Sequence, residues 1–381
     1  MTYSQRTSLS LLIVALFVGH GALANPLETV EKMIQIEAQS PGGILLPTQS
    51  CVKLLTTNVP APMEVEVYSV QDVMKAIEKL KINESSEKEH AGLIAFYENM
   101  VQRGGTRMLA GAPAREIFDT LEASAPNHQK VTADLRKMAA LHRASGEPMQ
   151  ITPILLLGDP GVGKTHYAMQ LAKGIGTRFE LLAMGTSTAG WLVSGASSQW
   201  KGARAGLVAT TLIDGWNANP LMVIDEIDKA SGSDQYDPMG AFYPLMERES
   251  AQLFKDEYTE IRMDASNILW IATANDERAI PKPILNRMRV YVIPKLSPEE
   301  ARVVAQEIYK GILEKHPKWQ FDPLMSSDVL DVLSGTVPRV MKIAILDAFG
   351  NAFEENRRYL LPKDLDLKTA TAKGPLGFTP Q

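Results

Sequence analysis

Cysteine is almost missing from this chain. Cys51 is the only one in 381 residues, so no intramolecular disulfide can form and a disulfide-stapled scaffold is excluded. A lone cysteine ordinarily packs as a small hydrophobe. A dominant charge of one sign is missing too. Lys and Arg number 39 against 44 Asp and Glu, a formal net charge of −5, and that balance calls for neither nucleic acid nor an anionic membrane as partner. The six histidines show no metal-ligand spacing such as His-Glu-x-x-His. No internal repeat is found, which argues against a solenoid. The uninterrupted apolar run near the N-terminus is too short for a comfortable transmembrane helix. What remains, 45% apolar and 22% charged residues, describes a globular chain long enough for two or three domains.

What is present is concentrated in two short motifs. Leu155-Leu156-Leu157 leads into Gly158-Asp159-Pro160-Gly161-Val162-Gly163-Lys164-Thr165. This is Gly-x-x-x-x-Gly-Lys-Thr after a buried-strand pattern and before a helix-compatible segment beginning near His166, the context that makes a P-loop credible. The glycines let backbone N–H groups turn inward around phosphate oxygens, at a helix N-terminus whose dipole favours negative charge. Lys164 would reach the β- and γ-phosphates, and the Thr165 hydroxyl would take one Mg²⁺ position. Some sixty residues on, Leu221-Met222-Val223-Ile224 runs into Asp225-Glu226-Ile227-Asp228. Asp225, at the strand tip, is placed to hold the Mg²⁺ hydration shell, and Glu226 to orient and polarise a water against the γ-phosphate. The pair predicts binding of a nucleoside triphosphate, ATP with Mg²⁺, and its hydrolysis.

From Val131 the pattern alternates between helix and buried strand. Val131–Ala144 reads as a helix. Strands are expected at Ile154–Leu157, Phe179–Ala183, Leu221–Ile224, Ile268–Thr273 and Val290–Ile293. Alternation of this kind implies an α/β fold, a parallel five-stranded sheet covered by helices on both faces. Ligands bind such sheets at the carboxyl ends of the strands, where Gly158, Asp225 and Asn275 fall. After Ser297 no strand is expected. Pro298–Glu314, Ser327–Leu333 and Pro338–Asn351 read as the helices of a small all-α domain. Upstream, Pro26–Ile36, Val70–Leu80, Gly92–Arg103 and Ala114–Ala123 have helical spacing. The polar run Glu84–His90 is either a linker or the solvated opening of the next helix. The expected division is 1–24, a helical N-terminal region over 25–125, a P-loop domain over 126–296, and an all-α domain with a tail over 297–381.

The first 24 residues admit three readings. Arg6, the apolar stretch from Leu9 to Val18, and Ala22-Leu23-Ala24 before Asn25 have the layout of a secretory signal peptide. A membrane-associating helix and an apolar helix packed into the fold are the others. Because ATP is scarce outside the cytoplasm, the ATPase part is expected to face the cytoplasm.

Three further segments give the arrangement a family resemblance. Asp225-Glu226-Ile227-Asp228-Lys229, Ile271-Ala272-Thr273-Ala274-Asn275, and Ile280-Pro281-Lys282-Pro283-Ile284-Leu285-Asn286-Arg287-Met288 resemble the ATPase module of the Lon proteases, within the AAA+ superfamily. The stretch from Met246-Glu247 to Phe254-Lys255-Asp256-Glu257-Tyr258 is similar as well. The resemblance runs from about Val131 to Ala352. It implies an AAA+ sheet followed by a helical lid, and assembly as a ring, by family habit a hexamer. It implies that Asn275 is sensor 1, a polar side chain near the γ-phosphate. Arg287 would be the arginine finger supplied to a neighbouring subunit, with Arg289 a close competitor. Arg339, in Val337-Pro338-Arg339, would be the sensor 2 arginine of the lid. In that family an aromatic-hydrophobic-Gly loop grips polypeptide in the ring pore. Trp200-Lys201-Gly202 occupies its place here, with Lys201 departing from the usual hydrophobic residue, and Trp191 nearby is expected in the core. The Lon proteolytic domain follows the lid, and the residues after the lid here are too few for one, so the expectation is a Lon-like ATPase without protease that remodels a protein partner. Two other classes stay open. One is a motor or loader on nucleic acid, touching phosphates through Lys201 and Arg204. The other is a slow nucleotide switch or scaffold.

Overall fold

The computed structural model describes residues 63–184, 190–200, 202–230 and 239–367. The expectations for 1–24, for Pro26–Ile36 and for Lys201 lie outside the described residues. Five parallel strands form the central sheet: β3 (Ile154–Leu157), β4 (Phe179–Ala183), β5 (Leu221–Asp225), β8 (Leu269–Ala274) and β9 (Arg289–Val292), in the order β4-β5-β8-β3-β9. Register places Leu155 between Ala272 of β8 and Val290 of β9, and Val223 between Leu181 of β4 and Ile271 of β8. The three inner strands are apolar except for Asp225 at the tip of β5 and Thr273 near the end of β8, because both faces are covered. Leu155, Met222, Ile224, Trp270 and Ala272 enter one apolar cluster, while Ile154, Leu156, Leu221, Val223, Leu269 and Ile271 enter a second on the other face. That alternation is the period of two expected of strands. Each fully buried Leu or Ile there contributes roughly 1.5–3 kcal/mol relative to exposure.

The helices follow their sequence signals. α5 (Gln129–Ser145) ends at Gly146, whose φ of 71° is the left-handed conformation that closes a helix. α6 (Lys164–Ile175) starts directly from the glycine loop and ends in the same way at Gly176. The C-terminal helices are α8 (Pro298–Lys315), α9 (Ser327–Ser334) and α10 (Pro338–Glu354). α8 opens with a reciprocal cap: the Ser297 hydroxyl accepts from the Glu300 N–H, and the Glu300 carboxylate accepts from the Ser297 N–H. These three helices bury their own apolar cluster, built on Tyr309, Val329, Leu333, Ile345 and Phe349.

The region before α5 is not wholly helical. Beside α1 (Val70–Leu80), α2 (Glu84–Glu89), α3 (Ala91–Arg103) and α4 (Arg115–Ser124), it holds a two-stranded antiparallel sheet, β1 (Glu64–Glu66) with β2 (Thr106–Met108). Strands of three residues are too short to show a period. The polar run at Glu84–His90 folds as α2, a helix of its own. Val67, Tyr68, Val73, Leu93, Tyr97 and Met100 from this region share the apolar cluster on one face of the central sheet. Buried Arg107 of β2 donates to the carbonyls of Leu212 (3.0 Å) and Ile213 (2.6 Å). Those are the last-turn acceptors of α7 (Leu207–Asp214), groups that have no partner within their helix. A short hairpin, β6 (Phe254–Lys255) with β7 (Arg262–Met263), precedes β8. Among the described residues, no helix is long and apolar enough to cross a membrane.

Candidate nucleotide-binding site

The carboxyl ends of β3, β5 and β8 bring the motif residues together. Gly158 follows β3 so closely that a Cβ there would stand 2.5 Å from the Ile293 carbonyl oxygen. Gly161 and Gly163 have φ of 85° and 100°, a region closed to most side-chain-bearing residues. The loop they shape delivers Lys164 as the first residue of α6. Its ammonium donates to the carbonyls of Gly158 (2.7 Å) and Asp159 (3.0 Å) and to Asn275 Oδ1 (3.0 Å). Burial pushes the Lys164 pKa below the usual lysine value, against the pull of Asp228, Asp225, Asp159 and Glu226. Thr165, next on α6, donates its hydroxyl to Asp225 Oδ1 at 2.7 Å.

Two residues within the motif segments, assigned no role by sequence reasoning, complete this corner. Thr273 of β8, 1% exposed, donates its hydroxyl to Asp225 Oδ1 (2.7 Å) and accepts from the Glu226 N–H (3.0 Å). Glu226 itself sits at φ 53°, ψ 49°, a left-handed conformation that costs a non-glycine residue about 1–2 kcal/mol. Strain of that kind concentrates at functional sites, where the surroundings impose it, and here Thr273 at the N–H and Lys229 N at the carbonyl hold the Glu226 main chain on both sides. Asp228, buried, accepts the backbone N–H groups of Asn275 (3.2 Å) and Asp276 (3.3 Å). It ties the tip of β8 to the turn after β5 and so fixes Asn275 beside Lys164.

A second missed pair lies in the turn before α5. Asn127 donates its amide to the carbonyls of Val162 (3.2 Å) and Pro294 (3.0 Å). His128 stacks on Tyr167 at 4.5 Å and pairs its Nδ1 with Asn127 Oδ1 at 2.9 Å. That oxygen can only accept, so the proton is on Nδ1 and Nε2 carries the lone pair. Nε2 is buried with no hydrogen-bond partner among the described residues, in a ring 3.8 Å from where a Gly163 Cβ would stand. Burial first, then the positive charges of Lys164 and His166, push the His128 pKa down to about 3. The folded form therefore resists a proton that the unfolded chain accepts at the ordinary value of 6.5. Stability from this group is complete above that value and is lost as pH falls toward 3, by at most about 1.4 kcal/mol per pH unit. His128→Asn is expected to lower the urea midpoint at pH 7 yet to lose less between pH 7 and pH 4.5 than the parent. Equal losses in the two chains would exclude His128 as the acid-sensitive group.

The remaining candidates divide. Asp159 pairs with Lys295 at 3.0 Å; Val162 is buried in the apolar cluster beside α6; Pro160 is exposed on the loop. His166, in the first turn of α6, has its pKa lowered by desolvation first and then by the positive charges of Lys342 and Lys315 from the C-terminal helices. Arg339 of α10 is exposed, and its Cβ lies 3.9 Å from the Cβ position of Gly161, with Val337 nearer still at 3.2 Å. The helical lid thus rests on the glycine loop. Arg287 is not brought to this corner. It donates to Glu247 and to the Pro283 carbonyl, both at 2.7 Å, and lies over the Tyr243 ring at 5.8 Å. It borders a cavity of about 480 Å³ with Glu247, Arg248 and Trp270. Arg289 is engaged by Asp134 at 2.9 Å. Trp200 is 63% exposed. Trp191, expected in the core, is instead 39% exposed with the Arg204 guanidinium 5.3 Å over its ring. The one-turn helix Trp191–Ser194 buries Val193 and turns the indole outward.

A lysine-bearing glycine loop, a strand-tip aspartate and a polar side chain on the adjoining strand now stand in one parallel sheet, and residues 154–295 match the family described as "ATPase family associated with various cellular activities (AAA)". These residues form an AAA ATPase domain. The AAA domain and its flanks are 29% identical over 265 residues to the Lon protease of Lachnoclostridium phytofermentans, covering 63% of this chain and 32% of that protein. Against the peroxisomal Lon protease homolog 2 of Oryza sativa subsp. japonica, identity is 33% over 170 residues, 43% of this chain and 19% of the relative. The chain thus spans a third or less of the length of these relatives. A chain of the S. cerevisiae Hsp104:casein complex in its extended conformation shares the fold, with a TM-score of 0.50 and 15% identity over 64% of this chain and 48% of that one. The expected α/β architecture, with a C-terminal helical cluster and N-terminal helices, and the resemblance to the Lon ATPase module both stand. Sequence reasoning gave no role to Thr273 and Asp228, though both lie within the quoted segments, and did not single out Asn127 or His128 at all.

Proposed function

We propose that this chain is a Lon-like ATPase that assembles as a ring, a hexamer by family habit, and spends ATP hydrolysis on remodelling a protein partner in the cytoplasm. The observation that carries the ring is Arg287. Lys164 bonds to Asn275, and Thr165 and Thr273 both bond to Asp225, while the Arg287 guanidinium, among the described residues, meets Glu247, the Pro283 carbonyl and the Tyr243 ring. A neighbouring copy is the natural destination for a guanidinium placed outside its own chain's site.

In this reading the triphosphate lies along Gly158–Thr165, and Lys164 exchanges its carbonyl partners for phosphate oxygens. The donor set suits Mg²⁺, because the Thr165 hydroxyl and Asp225 carboxylate are hard oxygen ligands already in contact at 2.7 Å. Bound there, the ion would neutralise charge developing on the phosphate oxygens. Glu226, its backbone fixed by Thr273, orients the attacking water. Asn275 donates toward the γ-phosphate. Arg287 of the next subunit stabilises the transition state. Arg339 and Val337 transmit nucleotide state to the lid through their contact with Gly161. Trp200, exposed on its loop, grips polypeptide, as the relatives named proteases must do.

The test is ATP hydrolysis by the full chain across a wide range of protein concentration. Specific activity that climbs and then saturates is expected, because each site is completed by a neighbour. A specific activity independent of concentration, in a chain shown to be monomeric throughout, would overturn the ring.

A further inference from the structure

The segment Phe254–Tyr258 has no part in the nucleotide chemistry, yet it contains a carboxylate with 0% exposure, Asp256. Burying a charge requires hydrogen-bond donors, and three backbone groups supply them. Oδ1 accepts from Tyr258 N (3.0 Å) and Thr259 N (2.9 Å), in its own turn. Oδ2 accepts from Gly206 N at 2.8 Å, fifty residues away. Burial raises the Asp256 pKa above the usual carboxylate value even against these bonds.

Gly206 is the residue immediately before α7, and the loop carrying Trp200 runs from Gly195 to Gly206. Both ends are packed on the carboxylate. A Cβ at Gly195, whose φ is 86°, would stand 2.6 Å from Asp256 Oδ2, and a Cβ at Gly206 would stand 2.3 Å from the Val193 carbonyl and 2.4 Å from Gly195 N. Further bonds hold the same neck: Ala196 N to the Arg204 carbonyl (3.1 Å) and Glu257 N to the Ser194 carbonyl (2.7 Å). The turn that holds Asp256 is itself braced by α3. Tyr97 donates its hydroxyl to the Thr259 carbonyl at 2.5 Å, and Phe96 meets the Tyr258 ring edge-to-face at 5.7 Å.

We propose that Asp256 is the positioning residue of the Trp200 loop, its carboxylate closing the neck between Gly195 and Gly206 so that the indole is presented from a fixed base. Without it, the neck would keep only the Ala196–Arg204 and Glu257–Ser194 backbone bonds, and a looser base would pass less of any force generated at the nucleotide to a side chain at the tip. The proposal rests on the reading that Trp200 grips polypeptide.

Asp256→Asn tests it with little change of shape. The Tyr258 and Thr259 N–H groups keep an oxygen acceptor, and the new NH₂ faces the Gly206 N–H, donor against donor. Hydrogen exchange of the Gly206 amide and its neighbours is expected to quicken roughly ten- to a hundredfold, as the loss of a bond to a charged acceptor implies, while α8–α10 keep the parent's protection. With casein as the unfolded probe, ATPase stimulation should need a several-fold higher casein concentration at unchanged basal turnover. In a Trp200→Ala background, Asp256→Asn should add nothing to the casein requirement. Unchanged neck exchange in Asp256→Asn would overturn the proposal, and so would an effect on casein that persists without Trp200. If casein fails to stimulate even the parent chain, gripping is refuted on its own, and the exchange at the neck still decides whether Asp256 holds the loop.

Discussion

Glu226→Gln is expected to bind ATP within a few-fold of the parent and to hydrolyse it roughly 10²–10⁴ times more slowly, the usual contribution of a positioned base. The substitution keeps shape and the left-handed backbone at φ 53°, because Thr273 holds that conformation through the main-chain N–H. Only the charge that polarises the water is lost. Binding should survive because the phosphates meet Lys164 and the glycine loop, which the substitution does not touch. A fluorescent-nucleotide titration read beside single-turnover hydrolysis separates the two. Turnover at the parent's rate would remove Glu226 from the chemistry.

Arg287→Ala is expected to lose about 10³-fold or more in turnover, the range of arginine fingers, again with nucleotide binding kept. The decisive measurement mixes the two inactive chains. A Glu226→Gln subunit still offers Arg287 to its neighbour, and an Arg287→Ala subunit still has Glu226 in its own site. Co-assembled, some interfaces contain a complete site and activity reappears from two dead proteins. Recovery would show that Arg287 acts in trans. Co-assembly without recovery would restrict Arg287 to its bond with Glu247.

The sheet was legible because its inner strands are buried on both faces and read as mostly apolar runs. β3 and β4 begin and end at the expected residues, while β5, β8 and β9 differ by one. The glycine loop was legible because phosphate chemistry demands particular residues at a particular spacing. Thr273 and Asp228 were not, since an ordinary threonine and aspartate acquire a role only when β8 lies against β5. The same holds for Asn127 and His128, thirty-odd residues from the loop they touch. Trp191 was misplaced because a large indole favours burial on average, whereas a single helical turn with one inward position gave that place to Val193. β1 and β2 carry no pattern long enough to read.

Lys164 has three oxygen partners of its own chain, and this shapes the energetics of turnover. Phosphate oxygens arriving at the ammonium would replace satisfied contacts, so the lysine would contribute to affinity only by the difference between two hydrogen-bonded states. The reverse journey is equally smooth. On release of product, the same three oxygens can take the ammonium back, so a buried cation need not be left unpaired. If the chain turns over ATP as proposed, such an exchange of partners would lower the cost of letting spent nucleotide go.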